Sequence, residues 1–149
     1  MAISYDEVER LIDSSPLVHF GNAADVVADE WLDRAEKQLG VPFPPSYKWW
    51  LKKYGGGDIG GEEIYSVYGL DFENVVGGDI VFMNTDRKLP MHRMAISDTG
   101  VDEEFYFDTS SRDADGEYRV VVFEHPDSEI VYADNFLEFL RRRIEFFQV

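Results

Sequence analysis

LGVPFPPSYKWWLKKYGGG, residues 39–57, packs a helix stop, a helix start and a second stop into one short run. Gly40 follows the apolar stripe Trp31, Leu32, Ala35 and Leu39, and reads as the C-terminal stop of a helix beginning near Asp29. Proline restricts both itself and the residue before it, so VPFPP breaks the helical path. Pro45 can then occupy a first helical turn, where its missing N–H costs nothing. The following SYKWWLKKY sets Tyr47, Trp50, Leu51 and Tyr54 on one side, and Gly55 ends it.

Working outward, Ser4 and Glu7 form an S-x-x-E capping box for a first helix over 4–14, with Tyr5, Val8, Leu11 and Ile12 sharing its apolar face. SSPLVHFGNA reads as a loop. After the glycines the pattern turns to short aromatic and β-branched runs bounded by turn residues: EEIYSVYGL, RMAIS, EFYFD, EYRVVVFE and SEIVYA. DIVFMNTDRK reads as a short helix among them. DNFLEFLRRRIEFF closes as a helix, with Phe136, Phe139, Leu140 and Phe147 inward and Arg141 to Arg143 near its negative end. Helices, then strands, then a closing helix predict one α+β domain over 1–149.

Several stretches spell chemical motifs without their context. Gly55, Gly57 and Gly60 write G-x-G-x-x-G, but a dinucleotide turn follows a strand and opens a helix. Here a helix ends at Tyr54, a strand begins near Glu63, and Asp58, Glu62 and Glu63 would repel phosphate. A helix cap and a sharp turn into the sheet is the better reading. Asp98-Thr99-Gly100 has the spelling of an aspartic protease, which needs two such carboxylates sharing a proton. The chain has one D-[ST]-G, so this chemistry would require a dimer; a turn between strands is the simpler reading. In the register of a calcium loop, Asp113-Ala114-Asp115-Gly116 would put Ser111 first and Val122 twelfth, so two essential ligands are missing and a hairpin turn is expected. His19, His92 and His125 have no metal-ligand spacing. With 30 acidic residues, paired carboxylates of the glycosidase kind arise by chance. No catalytic residue, metal or cofactor is therefore predicted. Trp49 and Trp50 are adjacent and cannot face the same way, so one of them is expected at a rim.

Composition bounds the function. The 149 residues contain no cysteine, which excludes disulfides, thiolate zinc sites and a cysteine nucleophile. The N-terminus lacks the basic-then-apolar pattern of a signal peptide and no apolar run reaches membrane length, which predicts a soluble cytoplasmic protein. The net charge is −16, and residues 55–135, with 19 acids against 5 bases, carry −14 of it. Such a field repels nucleic acid and anionic membranes and attracts basic partners.

The ordered set of segments resembles the SUKH superfamily, in its Smi/Knr-like branch. The resemblance is carried by a helix ending in Leu39-Gly40 and by Pro44, Pro45 and Tyr47 opening a helix that ends in Tyr54-Gly55-Gly56. Phe43 stands where leucine is usual. Downstream, 64–70 and 94–97 match two strands of the pattern, FYFD ending in Asp108 a third, YRVVVFE a fourth, and ADNFLEFL with Phe136 the closing helix. The resemblance implies helices packed on a curved, mostly antiparallel sheet. It also implies a binding role: bacterial members are mostly immunity proteins that neutralise toxins, often nucleases, whereas fungal relatives are scaffolds and cell-wall regulators. It supplies no catalytic site. A basic toxin domain is the expected partner, with Asp58, Glu62, Glu63, Asp102, Glu103 and Glu104 as expected contacts and Trp49 or Trp50 as an anchor. A scaffold module remains the alternative, and a dimeric hydrolase using Asp98 a remote one.

Overall fold

The computed structural model describes residues 3–21, 27–67, 79–85, 92–100, 103–125 and 128–148. Helix α1 spans Tyr5–Ser14 and is followed by strand β1, Val18–Phe20. Helices α2, Asp29–Leu39, and α3, Pro45–Tyr54, lead into strands β2, Gly57–Ile59, and β3, Glu62–Ile64. Helix α4, Ile80–Thr85, precedes β4, Arg93–Asp98, and β5, Glu104–Asp108. Strands β6, Arg119–His125, and β7, Ser128–Ala133, then deliver the chain to α5, Phe136–Phe146. The seven strands form one sheet in chain order, every neighbour pair antiparallel, so β1 and β7 are its edges. The class is α+β, as the order of segments predicts.

Most helix boundaries have a local cause. Ser4 Oγ accepts the Glu7 N–H at 3.2 Å, the first half of the expected capping box. Gly55 closes α3 in the left-handed region at φ 79°, which a side chain would make costly. Asn135 caps α5 by accepting from the Glu138 N–H at 2.9 Å. Pro44 gives α3 no side-chain cap, and a distant residue supplies one: the Glu117 carboxylate, just before β6, accepts from Ser46 N–H at 2.9 Å and Ser46 Oγ at 2.5 Å. An anion at a helix N-terminus is favourable, and this one ties the β5–β6 connection to the helix.

Aromatic rings fill the space between helices and sheet. Tyr47, Trp50, Phe107 and Phe136 are fully buried and meet edge-on or stacked, with centroid separations of 5.3 to 5.9 Å. The Tyr47 hydroxyl donates to the Tyr65 carbonyl at 2.5 Å and so satisfies its polar end inside the core. The Asn84 side chain of α4 exchanges hydrogen bonds with Ala95 N–H and C=O at 2.7 and 3.0 Å, completing the β4 ladder where β3 has ended. These contacts explain the Leu-Gly, Pro-Pro-x-Tyr and Tyr-Gly-Gly signature as caps and core.

Three expectations need correction. Val18–Phe20 is a strand, not loop, and Gly57–Ile59 is its partner strand, so the glycine stretch is half turn and half sheet. Gly57 permits this close pairing: a Cβ there would lie 2.7 Å from Phe20 Cα. The run at 62–70 is strand only as far as Ile64; Ser66 makes an isolated bridge to Asp79, and 68–70 lie outside the described residues. Tyr5 is 38% exposed rather than core, its ring resting on Trp49 at 4.8 Å. The expected helix of 79–88 is α4, with 86–88 outside the described residues. Asp98 and Asp113 do sit in turns, accepting from Gly100 N–H and from Asp115 and Glu117 N–H respectively.

Burial pushes the Glu117 and Asp79 carboxyls above their ordinary range. A carboxyl raised in the folded state contributes stability that is present below its unfolded pKa and lost as pH rises through the folded value. The net charge of −16 adds repulsion in the same sense. Exposed Asp29, held down by Lys52, has the opposite sign but little weight. The denaturation midpoint should therefore rise as pH falls from about 6.5 to about 4.5, the range just above the ordinary carboxylate pKa, and Glu117→Gln should flatten that slope. Urea titrations across this range measure it; a midpoint rising with pH would refute the assignment.

Candidate interaction surface

Strand register gathers the acids. Asp58 on β2 lies directly opposite Glu63 on β3, and Asp98 on β4 opposite Glu104 on β5. Ile64 pairs with Ser97, so the next step in register sets Glu63 beside Asp98. Side chains on directly paired residues share a face, so Asp58, Glu63, Asp98 and Glu104 form one row across four strands. Strand spacing makes that row roughly 15 Å long. His19 extends it onto β1, opposite Asp58, with its Nδ1 3.0 Å from the Asp58 carboxylate. Phe105 and Phe107 point the other way, into the helix-covered core, so the row lies on the opposite face of the sheet.

The acids differ in what already holds them. Asp58 also accepts from the Gly61 N–H at 3.0 Å, fixing the β2–β3 turn. The Tyr106 hydroxyl donates to Glu104. Glu63 is exposed. The Glu103 carbonyl accepts from Thr99 N–H at 3.0 Å and closes the β4–β5 turn beneath its half-buried side chain. Asp102 lies outside the described residues.

Two expected contacts belong elsewhere. Trp50 is completely buried in the aromatic core and cannot anchor a partner. Trp49 is half-buried at the rim, between Tyr5 and Tyr54. Glu62 shares the inward face with Ile64 and pairs with the guanidinium of Arg143, which is 5% exposed and lies over the rings of Phe105 and Phe146. Period-two alternation within EEI already puts Glu62 on the Ile64 side; charge alone hid it.

At its β1 end the row borders an open groove of about 720 Å³ lined by Phe20, Tyr54, Gly56, Asp58, Glu63 and Ser66, among others. Burial first, then Glu9 and Asp13, push the Tyr54 phenol up to about 12, so it is a neutral aromatic wall at physiological pH. His19 was not anticipated beside the acids, because only the register of β1 on β2 brings it there.

A family model described as SMI1-KNR4 cell-wall, SUKH_6, matches residues 29–140. The chain belongs to the SUKH superfamily. No curated protein matches it. The matched span covers the signature segments Leu39-Gly40, Pro44 to Tyr47, Tyr54 to Gly56, Asp108 and Phe136: Gly40 closes α2 at φ 77°, Asp108 accepts from the Ser110 N–H at 3.0 Å, and Tyr47 and Phe136 lie in the core. In this SUKH chain β1 and Arg143 lie outside that span. Among the described residues no helix is long and apolar enough to cross a membrane. Nor do the described residues hold a cluster of three or more His, Asp or Glu side chains arranged for a metal.

Proposed function

We propose that the whole chain acts as one non-catalytic binding domain: a bacterial, cytoplasmic immunity protein that occludes a basic toxin domain, most simply a nuclease. The observation carrying this reading is the row Asp58, Glu63, Asp98 and Glu104 on adjacent strands of a protein with net charge −16. Like charges directly opposite one another destabilise a sheet unless a cation compensates them. A nuclease presents a basic cleft to a polyanion, and an acidic face both fits that cleft and accelerates encounter. Membership in the SUKH superfamily supports a protein-binding role.

The test is calorimetry with the toxin domain encoded beside the gene, at low and moderate salt. A one-to-one complex that weakens with salt is expected. Glu63→Lys with Glu103→Lys should slow association about tenfold or more at low salt. Unchanged association there would remove this face from the interface. Asp98→Asn should leave inhibition intact, whereas a hydrolase would lose its activity. The cell-wall description of the matching family favours one second reading, a scaffold with several endogenous partners. Capture of several host proteins, with no toxin bound, would support it.

A further inference from the structure

Strand β7 closes the sheet with a free edge: among the described residues only β6 pairs with it. Its sequence, SEIVYA, holds no proline, lysine or arginine, the residues that usually blunt such an edge. Ile130 is 47% exposed and Val131 53%, whereas their partners on β6, Val122 and Val121, are 4% and 2% exposed. The two exposed side chains lie on opposite faces. Ile130, Val122 and Phe105 share the face that α5 covers through Phe139, and Val131, Val121 and Tyr106 share the other. Exposure on both faces, one strand beyond full burial, is what a missing neighbour strand leaves; a missing layer would bare one face only. The strand's one acid, Glu129, is already held by Arg93 at 3.1 Å.

We propose that β7 pairs antiparallel with β7 of a second copy about a two-fold axis at Ile130, joining the two sheets into one. A two-fold interface sets a strand against itself, so the strand must be self-complementary. Residues opposite one another must also share a face. The register on β6 shifts between Val131 and Ala133, and Ala133 joins Val120 and Phe107 on the inward face. A pair centred on Val131 would therefore set outward Glu129 against inward Ala133. One centred on Glu129 would oppose like charges. Centred on Ile130, the pair sets Ile130 against its own copy on the covered face and Val131 against Glu129 on the other. Both exposed side chains are then covered with no like-charge contact. So short a ladder makes a weak dimer, half-formed at about 0.1–1 mM chain. The net charge of −16 opposes it, so salt strengthens it. The acidic row ends at Glu104 on β5, two strands away, and stays free, so the pairing does not depend on the toxin reading.

The chain has no cysteine, so Ile130→Cys supplies a single-site probe. Across an axis at Ile130 the two substituted side chains stand directly opposite, about 5 Å apart at Cβ, and mild oxidation should link the copies. Val131→Cys, whose copies would stand more than about 7 Å apart, should link at least about tenfold more slowly. Sedimentation equilibrium of the unsubstituted chain should show a monomer–dimer exchange that strengthens with salt, the reverse of the toxin complex. Ile130→Lys should weaken it about tenfold or more by opposing two ammonium groups. Both positions are exposed, so these variants leave the core intact. A monomer at about 1 mM in high salt, equal linking at both positions, or an unchanged dimer in Ile130→Lys would overturn the proposal. So would a toxin domain that loses affinity for Ile130→Lys while the free chain stays monomeric, because β7 would then receive a strand of the toxin. A dimer with no toxin complex would sink only the immunity role.

Discussion

Trp50→Ala should lower the unfolding free energy by about 3–5 kcal/mol, the usual range for truncating a buried tryptophan. The indole is fully buried, and it contacts Tyr47, Phe20 and Phe136, which come from α3, β1 and α5. Removing it opens a void at the meeting point of three elements, where collapse on one side must pull another apart. A domain at the low end of the usual range, about 5 kcal/mol, would be largely unfolded or close to it. Trp50→Phe supplies the control. The indole Nε1 is buried without a hydrogen-bond partner among the described residues, so phenylalanine keeps most of the ring while removing that donor. Its cost should be less than half that of alanine. Chemical denaturation of both variants measures the difference; equal losses would mean that ring packing does not dominate there.

The second large effect concerns the ion pair behind the sheet. Glu62→Ala should cost about 3 kcal/mol or more, because it strands the Arg143 charge in a buried site. Arg143 is 5% exposed and sits over Phe105, Phe146 and Phe147, at 4.6 to 5.5 Å from their ring centroids. A guanidinium cannot shed its proton to escape burial. Replacing the pair together, Glu62→Leu with Arg143→Met, should recover most of the loss, since apolar groups of similar volume often substitute for a buried ion pair at little cost. The two single variants and the double form a cycle with a coupling of about 2 kcal/mol or more. Additive losses would show that Glu62 is a surface acid after all. The outcome bears on function as well, because it separates an acid that builds the sheet from those available to a partner.

That separation marks the boundary of what the chain reveals when read in order. Local rules place the helices: Ser4, Pro45, Gly40, Gly55 and Asn135 act within one turn of their own position, and only the Glu117 cap on α3 comes from afar. The stripes of α2, α3 and α5 follow from a 3.6-residue period, and Tyr47, Trp50 and Phe136 were legible as core for that reason. The β1–β2 pair was not. A three-residue strand has no period to detect, and glycines disfavour strands until a partner backbone comes close enough to require them. The acids were legible as a composition and a charge but not as a surface. Asp98 read as a turn, Glu62 as a contact, and His19 as nothing in particular. Local sequence set the helices, the α+β class and the sign of the field, because those depend on neighbours along the chain. Tertiary pairing alone decided which carboxylates form the row and which one is buried beneath it, because register joins residues as distant as His19 and Asp58, or Glu62 and Arg143.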